Sequence, residues 1–419
     1  MYTLNEDVKS AGKSLPRGFK LMVASGFTSR MGTTAFSISI LWITLDLTNS
    51  ALIAGLADGL FTLPLIFSFY FGALIDRSGK KKNIAIVSTL IRAGAIMLIL
   101  MAILVHGYYL IIALIYSCVV VTGMMSDILN SIRSVWTKVF LKEEQYQKGT
   151  SLSSGFYSLA EGVGYALSGI LLYFGYADTV FLLAAMFIIS VIPIVFIKEK
   201  AGTVKITSET KIGAEILDGV RFIRKNRSLT QLIVMMIFAN FVIAMVGIGF
   251  TFMIEKVLVL PAFYLSIIFI ALSAGIGLGA IPGGYIRGTL GFVVVPLLAL
   301  IGVVFISLIA THDVFILMGL VSIIGFAIGV INPVVGTVFI RKVPMEMMAR
   351  IQGAVNTFAL SATFLSGTIA GAIIQFTSIN SLFIIIGTAT VIVGIAFIFM
   401  RDLAGERIER GNQIIPQQE

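Results

Sequence analysis

Long apolar runs recur along the whole chain and limit what it can fold into. A run of about 20 apolar residues can cross the hydrocarbon core of a bilayer as an α-helix, because each residue advances the helix by about 1.5 Å. Only 12% of the 419 residues are charged and the mean hydropathy is +1.02, whereas soluble domains carry about 25% charged residues. The sequence therefore predicts an all-α polytopic membrane protein.

The positions of the runs predict the domain organisation. A polar segment, 198–228, divides them into six and six, so we expect an N-terminal tail, two six-helix bundles joined by a cytosolic linker, and a C-terminal tail. In that order these domains span 1–20, 21–197, 198–228, 229–400 and 401–419. The twelve predicted transmembrane helices lie at about 21–45, 51–75, 83–105, 108–134, 150–174, 179–197, 229–254, 262–286, 291–311, 314–340, 350–376 and 381–400.

The distribution of basic residues predicts the orientation of the chain. With both termini in the cytosol, 27 of the 30 Lys and Arg residues fall in cytosolic tails and loops. Of the other three, Lys256 lies in an outer loop, and Arg30 and Arg92 lie inside spans. Because cytosolic loops are enriched in Lys and Arg, we expect a multi-pass protein of the cell membrane with both termini cytosolic. The +9 net charge then reflects the topology of the chain in the lipid bilayer, and it indicates no nucleic-acid partner.

The two halves of the sequence resemble each other. A shift of 202 residues places Asn130 on Asn332 and Glu144 on Glu346, along with one Lys on an Arg, one pair of Gly residues and two pairs of Phe residues. The matching segments occupy corresponding positions in the two halves, which predicts two pseudo-symmetric six-helix bundles. Parallel repeats of this kind place a substrate site near the bilayer midplane, between the halves.

One loop combines charges with glycines at fixed offsets. Residues 72–83, between the second and third predicted helices, read GALIDRSGKKKN. This segment resembles the signature loop of the major facilitator superfamily, and the layout of six plus six helices extends the resemblance over the whole chain. The helix 1–2 junction at 45–51, Arg92 and the segment 341–346 resemble the branch of drug and siderophore exporters that includes macrolide-efflux and enterobactin-export proteins.

The resemblance implies a conformational latch at this loop. In the superfamily such a cluster joins the two halves on the cytosolic side when the central cavity faces outward. Asp76 could accept hydrogen bonds from the N-terminus of the eleventh helix, whose dipole favours an anion. The alternative is a solvated turn with lysines at the headgroups, which accounts for residues 80–82. The latch residues are Gly72, Asp76, Arg77 and Gly79, with Arg133 at the cytosolic end of the fourth helix as a possible partner.

Charged residues inside spans are costly and are therefore functional candidates. Glu161 lies near the middle of the fifth helix, on a face that also carries serines and Tyr165. It is either a protonatable carrier site or a neutral acid hydrogen-bonded between helices. Arg30, in the first helix, could hold Glu161, bind an anionic substrate group, or pair with a carboxylate for structure alone.

Other polar residues inside spans are weaker candidates for the cavity. Asp127 and Asn130 share a polar face of the fourth helix, whereas Asp58 and Arg92 are assigned structural roles. The second half could supply polar contacts from the seventh, tenth and eleventh helices, through Asn240, Asn332, Gln352 and Asn356. The complete candidate proton or substrate site comprises Glu161, Arg30, Asp127, Asn130, Asn240 and Asn356.

The preferred function is a secondary active transporter. We expect proton-coupled export of amphiphilic small molecules, drug-like or siderophore-like, by alternating access between the two bundles. A lipid or lysolipid flippase and a solute uptake carrier of the same fold are alternatives, and an integral membrane transferase is a distant one. The segment Ser78-Gly79-Lys80 lacks the spacing of a phosphate-binding loop, which disfavours ATP-driven transport. We expect a monomer that is not an enzyme and has no cofactor or metal; the single cysteine, Cys118, excludes a cysteine-based metal site.

Overall fold

The computed structural model describes residues 15–67, 75, 78, 80–105, 108–198, 220–311, 313–343 and 345–408. Each of the twelve predicted apolar runs contains a helix within this part of the chain. The helices are α1 (Arg17–Thr48), α2 (Ala51–Thr62), α3 (Lys81–Val105), α4 (Tyr108–Phe140), α5 (Glu143–Tyr173), α6 (Tyr176–Val195), α7 (Arg227–Phe252), α8 (Ala262–Gly283), α9 (Leu290–Ser307), α10 (Val314–Lys342), α11 (Met345–Phe376) and α12 (Ile379–Phe399).

Short elements complete the described chain. Two strands, β1 (Gly288–Thr289) and β2 (Arg407–Ile408), pair antiparallel with Gly288 opposite Ile408. The remaining short elements are a helix α13 (Arg401–Ala404), 3₁₀ turns at Leu63–Phe67 and Leu308–Ala310, and a π-helical turn at Met253–Val257.

Nine helices in the described residues are long and apolar enough to cross a membrane. The prediction of an all-α polytopic membrane protein is confirmed. Helix α5 is not among the nine, because its polar face lowers its hydropathy. In α2 and α11 the apolar segments that qualify are shorter, Ala51–Thr62 and Ser361–Phe376.

Some helices extend beyond the predicted spans. Helix α4 continues to Phe140 instead of ending near 134, since the intervening residues include neither Gly nor Pro and Trp136 stacks on Phe140. Helix α5 begins at Glu143, and α11 begins at Met345. The end of α4 and the start of α5 therefore recur after 202 residues, at the end of α10 (Lys342) and the start of α11.

Contacts group the chain into two compact units that do not follow the linear halves. The first unit comprises 1–36, 67–164 and 176–207, and the second comprises 37–66, 165–175 and 208–419. The division at 198–228 stays a prediction, because most of that segment lies outside the described residues.

In the first unit, α3 packs against α4 and α6, and an apolar core surrounds Phe19 and Trp136. In the second unit, α2 packs against α11, α8 against α10, and α9 against α12. An apolar core in this unit includes residues of α7, α9 and α10, such as Leu229, Val294 and Val334.

Glycines allow the backbones of α2 and α11 to approach each other closely. A Cβ added at Gly55 would lie 2.2 Å from the carbonyl oxygen of Gly367, and one added at Gly371 would lie 2.3 Å from that of Ala51. Small residues are favoured where transmembrane helices approach closely, because lipid supplies no hydrophobic drive for helix association.

Candidate functional site

An ion pair joins the middles of α1 and α5 in the first unit. Arg30 Nη1 donates a hydrogen bond of 2.8 Å to Glu161 Oε1. The close approach of the two helices depends on Gly164, one turn after Glu161, where an added Cβ would lie 2.6 Å from the carbonyl oxygen of Met31. The Arg30 guanidinium also lies 5.3 Å from the ring centre of Tyr157, within the range of a cation–π interaction.

Arg92, on α3, contacts the same face of α1. Its guanidinium donates hydrogen bonds to Ser29 Oγ and Thr33 Oγ1 and stacks 3.9 Å from the ring centre of Phe187 on α6. The residue is fully buried. The assigned structural role agrees with these contacts, and the side chain in addition lines a cavity that includes the Arg30–Glu161 pair.

A third arginine comes from α4. Arg133 is buried, and its Nη1 donates a hydrogen bond of 3.3 Å to the side-chain oxygen of Asn130, one turn earlier. Helix α4 runs seven residues beyond Arg133, so this residue lies inside the helix rather than at its end. Its side chain lines the same cavity as the Arg30–Glu161 pair.

These side chains enclose one polar cavity with about 360 Å³ of empty space. Its lining carries three guanidinium groups and one carboxylate, that of Glu161, together with four hydroxyl groups. Asp127 is buried one turn before Asn130 on α4 and is not part of the lining. The lining residues are Ser29, Arg30, Thr33, Thr34, Arg92, Ser126, Asn130, Arg133 and Glu161.

The second unit contains a cavity of opposite character. It holds about 750 Å³ of empty space and is lined by apolar side chains of α7, α8, α9, α10 and α12, with Asn332 and Thr390 as polar exceptions. Asn332 is the residue that the 202-residue shift aligns with Asn130, so the two members of this pair each line the cavity of their own unit.

Of the remaining candidates, Asn240 lines neither cavity, and the others lie wholly or partly outside the described residues. Asn240 on α7 is exposed, and its Nδ2 donates to the Met236 carbonyl oxygen at 2.8 Å, within its own helix. The backbone of Asn356 belongs to α11, but its side chain lies outside the described part of the chain. The latch residues Gly72, Asp76, Arg77 and Gly79 also lie outside the described residues.

The cavity that Arg92 and Arg133 share with Arg30 was not predicted from the sequence. A signal was present for Arg92, because Ser29 and Thr33 are four residues apart on α1 and so lie on one helix face. No such pattern marked Arg133, since its position depends on how α4 packs against α1.

Solved transporter structures share this fold. The crystal structure of the nucleoside transporter NupG matches with a TM-score of 0.73 and 13% identity, covering 91% of this chain and 98% of that chain. A bacterial homologue of the iron transporter ferroportin, in its inward-facing state, matches with a TM-score of 0.73 and 14% identity, covering 92% and 99%. A POT family transporter in complex with 5-aminolevulinic acid matches with a TM-score of 0.66 and 12% identity, covering 93% and 97%. At these identities the likeness shows the fold alone.

No curated protein sequence matches the chain significantly. The family model of the Major Facilitator Superfamily, however, matches residues 22–367, which is most of the chain. The match covers ten of the twelve helices in full or nearly so, and it agrees with the fold seen in the transporter structures. The chain belongs to the Major Facilitator Superfamily.

Proposed function

We propose that the protein is a secondary transporter that exports amphiphilic small molecules in exchange for protons. The observation that carries this proposal is the Arg30–Glu161 ion pair in a polar cavity of the first unit. A carboxylate inside a transmembrane helix is costly unless it is paired or protonated, and such residues commonly mark proton or substrate pathways.

The pair can exchange partners during a transport cycle. The Arg30 and Glu161 side chains are 38% and 41% exposed, so a proton or a solute in the cavity can reach either group. Protonation of Glu161 removes the charge that attracts Arg30, which frees the guanidinium for another partner. A group that alternates between a proton and an arginine can link proton binding to substrate binding.

The cavity of the second unit supports an amphiphilic substrate. Its walls are almost wholly apolar, with aliphatic side chains and Phe238 and Phe305 as aromatic contributors. Apolar walls with a few polar groups are typical of sites for small organic molecules. The same walls favour the alternative, a flippase for lipids or lysolipids, whose hydrocarbon chains need such a surface. An uptake carrier of the same fold differs only in the direction of net flux.

Transport in proteoliposomes tests the coupling. When a pH gradient is imposed, the wild-type protein should move a fluorescent amphiphilic dye against the concentration gradient of the dye. In Glu161→Gln this flux should be at least about tenfold lower. The control is Asp402→Asn, which removes an exposed acid on α13, outside both cavities. If Glu161→Gln exports the dye as fast as the wild type, Glu161 is not the coupling residue. If no dye, lysolipid or solute moves in response to the pH gradient, the proposal of proton coupling fails.

The proposal includes the orientation of the chain in the membrane and the conformational latch at residues 72–79. The basic residues support a cell-membrane protein with cytosolic termini. We expect the loop at 72–79 to join the two halves on the cytosolic side, with Asp76 at the N-terminus of α11. Crosslinking between introduced cysteines at 76 and in the first turn of α11, with and without substrate, would measure whether that contact forms and opens.

A further inference from the structure

The polar cavity of the first unit carries an excess of positive charge. Three guanidinium groups, those of Arg30, Arg92 and Arg133, line it together with a single carboxylate, that of Glu161. The nearby buried acid Asp127 reduces the excess but does not remove it. An uncompensated charge is expensive inside a membrane protein, so a site of this kind is stable only with an additional anion or at a cost in folding free energy.

The guanidinium groups also retain unused hydrogen-bond donors. Among the described residues, Arg133 Nη2 and Arg92 Nε are buried and have no hydrogen-bond partner. The hydrogen bond that Arg133 Nη1 donates to Asn130 is long, at 3.3 Å. Arginine presents five N–H donors in a fixed plane that matches the oxygens of a carboxylate or a phosphate, and it accepts no hydrogen bond.

We propose that this cavity binds the anionic group of the transported substrate, a carboxylate or a phosphate, and that this group displaces Glu161 from Arg30. The inference rests on the proposed transport function and specifies the chemistry of its substrate. The incoming oxygens contact Arg30 and Arg133, while the hydroxyl groups of Ser29 and Thr33 remain engaged by Arg92.

The displacement step makes Glu161 and the anion competitors for a single arginine. While Glu161 is paired with Arg30 it opposes binding of the anion, and its removal should leave the guanidinium free. This competition requires that both groups reach Arg30 in the same cavity, as the contact between Arg30 and Glu161 allows.

Intrinsic fluorescence provides a local reporter of binding. The chain has two tryptophans, and Trp136 lies on α4 three residues after Arg133. In a Trp42→Phe background, Trp136 is the one remaining tryptophan, and its emission reports changes in α4 next to Arg133. The probes are inorganic phosphate, hexyl phosphate and 1-oleoyl lysophosphatidic acid, with hexanol and hexylammonium as uncharged and cationic comparisons, added to purified protein in phosphatidylcholine nanodiscs without a pH gradient.

Hexyl phosphate should bind at least about tenfold more tightly than hexanol or hexylammonium. Arg30→Gln and Arg133→Gln should each weaken hexyl phosphate binding about tenfold or more, which corresponds to the loss of one charge-assisted hydrogen bond. Arg401→Gln, which removes an exposed arginine on α13, should leave it unchanged. Glu161→Gln should strengthen binding about threefold or more, because the competing carboxylate is gone. A purely structural ion pair predicts no such gain.

The source of the anionic group is decided by the same titrations. Saturable binding of inorganic phosphate or hexyl phosphate indicates a soluble substrate, whereas binding of lysophosphatidic acid alone indicates a lipid. Failure of all three phosphates to bind more tightly than hexanol overturns the inference, as does equal binding to the wild type and to Arg30→Gln. Arg30 is only half-buried, so that variant keeps the test valid if Arg133→Gln does not yield monodisperse protein.

The test of the anion site can fail independently of the test of proton-coupled export. If the protein exports a neutral dye in exchange for protons but binds no phosphate, the anion site is refuted and the proposal of proton-coupled export stands. A protein that binds hexyl phosphate through Arg30 but moves nothing in response to a pH gradient refutes proton coupling and leaves the anion site standing.

Discussion

Arg30 on α1 and Glu161 on α5 are 131 residues apart in the chain, yet Arg30 Nη1 lies 2.8 Å from Glu161 Oε1. Both side chains keep about two fifths of their surface exposed, so water weakens their attraction. Their contact therefore contributes little to folding and is available for a functional role.

We expect this pair to matter more for transport than for stability. In a double-mutant cycle with Arg30→Gln and Glu161→Gln, the coupling free energy of unfolding should be about 0.2–1 kcal/mol, as for other solvent-accessible pairs. Flux driven by a pH gradient should nevertheless fall at least about tenfold in each single variant. Reversible unfolding in mixed micelles and dye transport in proteoliposomes measure the two effects. A coupling free energy of several kcal/mol with normal flux would indicate a structural pair instead.

Arg92 should matter more for stability than for transport. Arg92→Lys keeps the charge but loses the planar fork that contacts Ser29, Thr33 and Phe187. We expect the free energy of unfolding to fall by about 2 kcal/mol, the order of one or two hydrogen bonds to a charged group. Arg17→Lys, at the exposed start of α1, is the matched control and should have no measurable effect. Unfolding of both variants in mixed micelles provides the measurement.

A second variant tests the stacking of Arg92. Phe187→Leu removes the ring that faces the guanidinium while keeping an apolar side chain at this buried position. The losses from Arg92→Lys and Phe187→Leu should not be additive, because both remove the same contact. Strict additivity would show that the ring and the guanidinium contribute independently.

Glycine substitutions separate helix packing from helix propensity. Gly55→Ala places a methyl group 2.2 Å from the carbonyl oxygen of Gly367, so α2 and α11 must move apart. We expect a loss of about 1–3 kcal/mol in the free energy of unfolding, the usual cost of overpacking. Gly94→Ala on α3 meets no atom within 4 Å, and should be neutral or gain up to about 1 kcal/mol from alanine's higher helix propensity. Equal effects of the two variants would contradict a close contact between α2 and α11.

Cysteine labelling tests the predicted orientation. The native Cys118 is buried, so the wild type should react slowly with a membrane-impermeant maleimide. Thr377→Cys, between α11 and α12, should be labelled in intact cells, whereas Arg401→Cys should be labelled only after permeabilisation. The reverse pattern would place the termini outside and overturn the orientation inferred from the basic residues.

The helices were the most predictable part of the structure. An apolar run of 20 residues has few alternatives in a bilayer, because every backbone polar group must be bonded internally. The predicted starts of α8 and α10 therefore agree with the structure at Ala262 and Val314. The start of α5 was less predictable, because its first turns are polar and the apolar signal begins only later.

The contacts that side chains make with neighbouring helices could not be predicted from the sequence. Helical periodicity places Ser168 on the same face of α5 as Glu161, which suggested one continuous polar stripe. In the structure Ser168 Oγ instead lies 3.1 Å from Ser266 Oγ on α8, and Tyr165 stacks on Phe269 with ring centres 4.9 Å apart. Whether a polar side chain makes a packing contact or lines a cavity depends on which helix lies next to it. The sequence does not specify that neighbour, and for the same reason the shared cavity of the three arginines was not predicted.

The 202-residue offset that repeats the α4–α5 boundary at α10–α11 has an evolutionary consequence. If the halves descend from one duplicated ancestor, they have since diverged in chemistry: Glu161 corresponds to Thr363, and one polar cavity is matched by one apolar cavity. The copies are therefore no longer interchangeable. In a laboratory selection for altered cargo, we expect adaptive substitutions to accumulate around Phe238 and Asn332 in the C-terminal copy, while the arginines of the N-terminal copy stay constant.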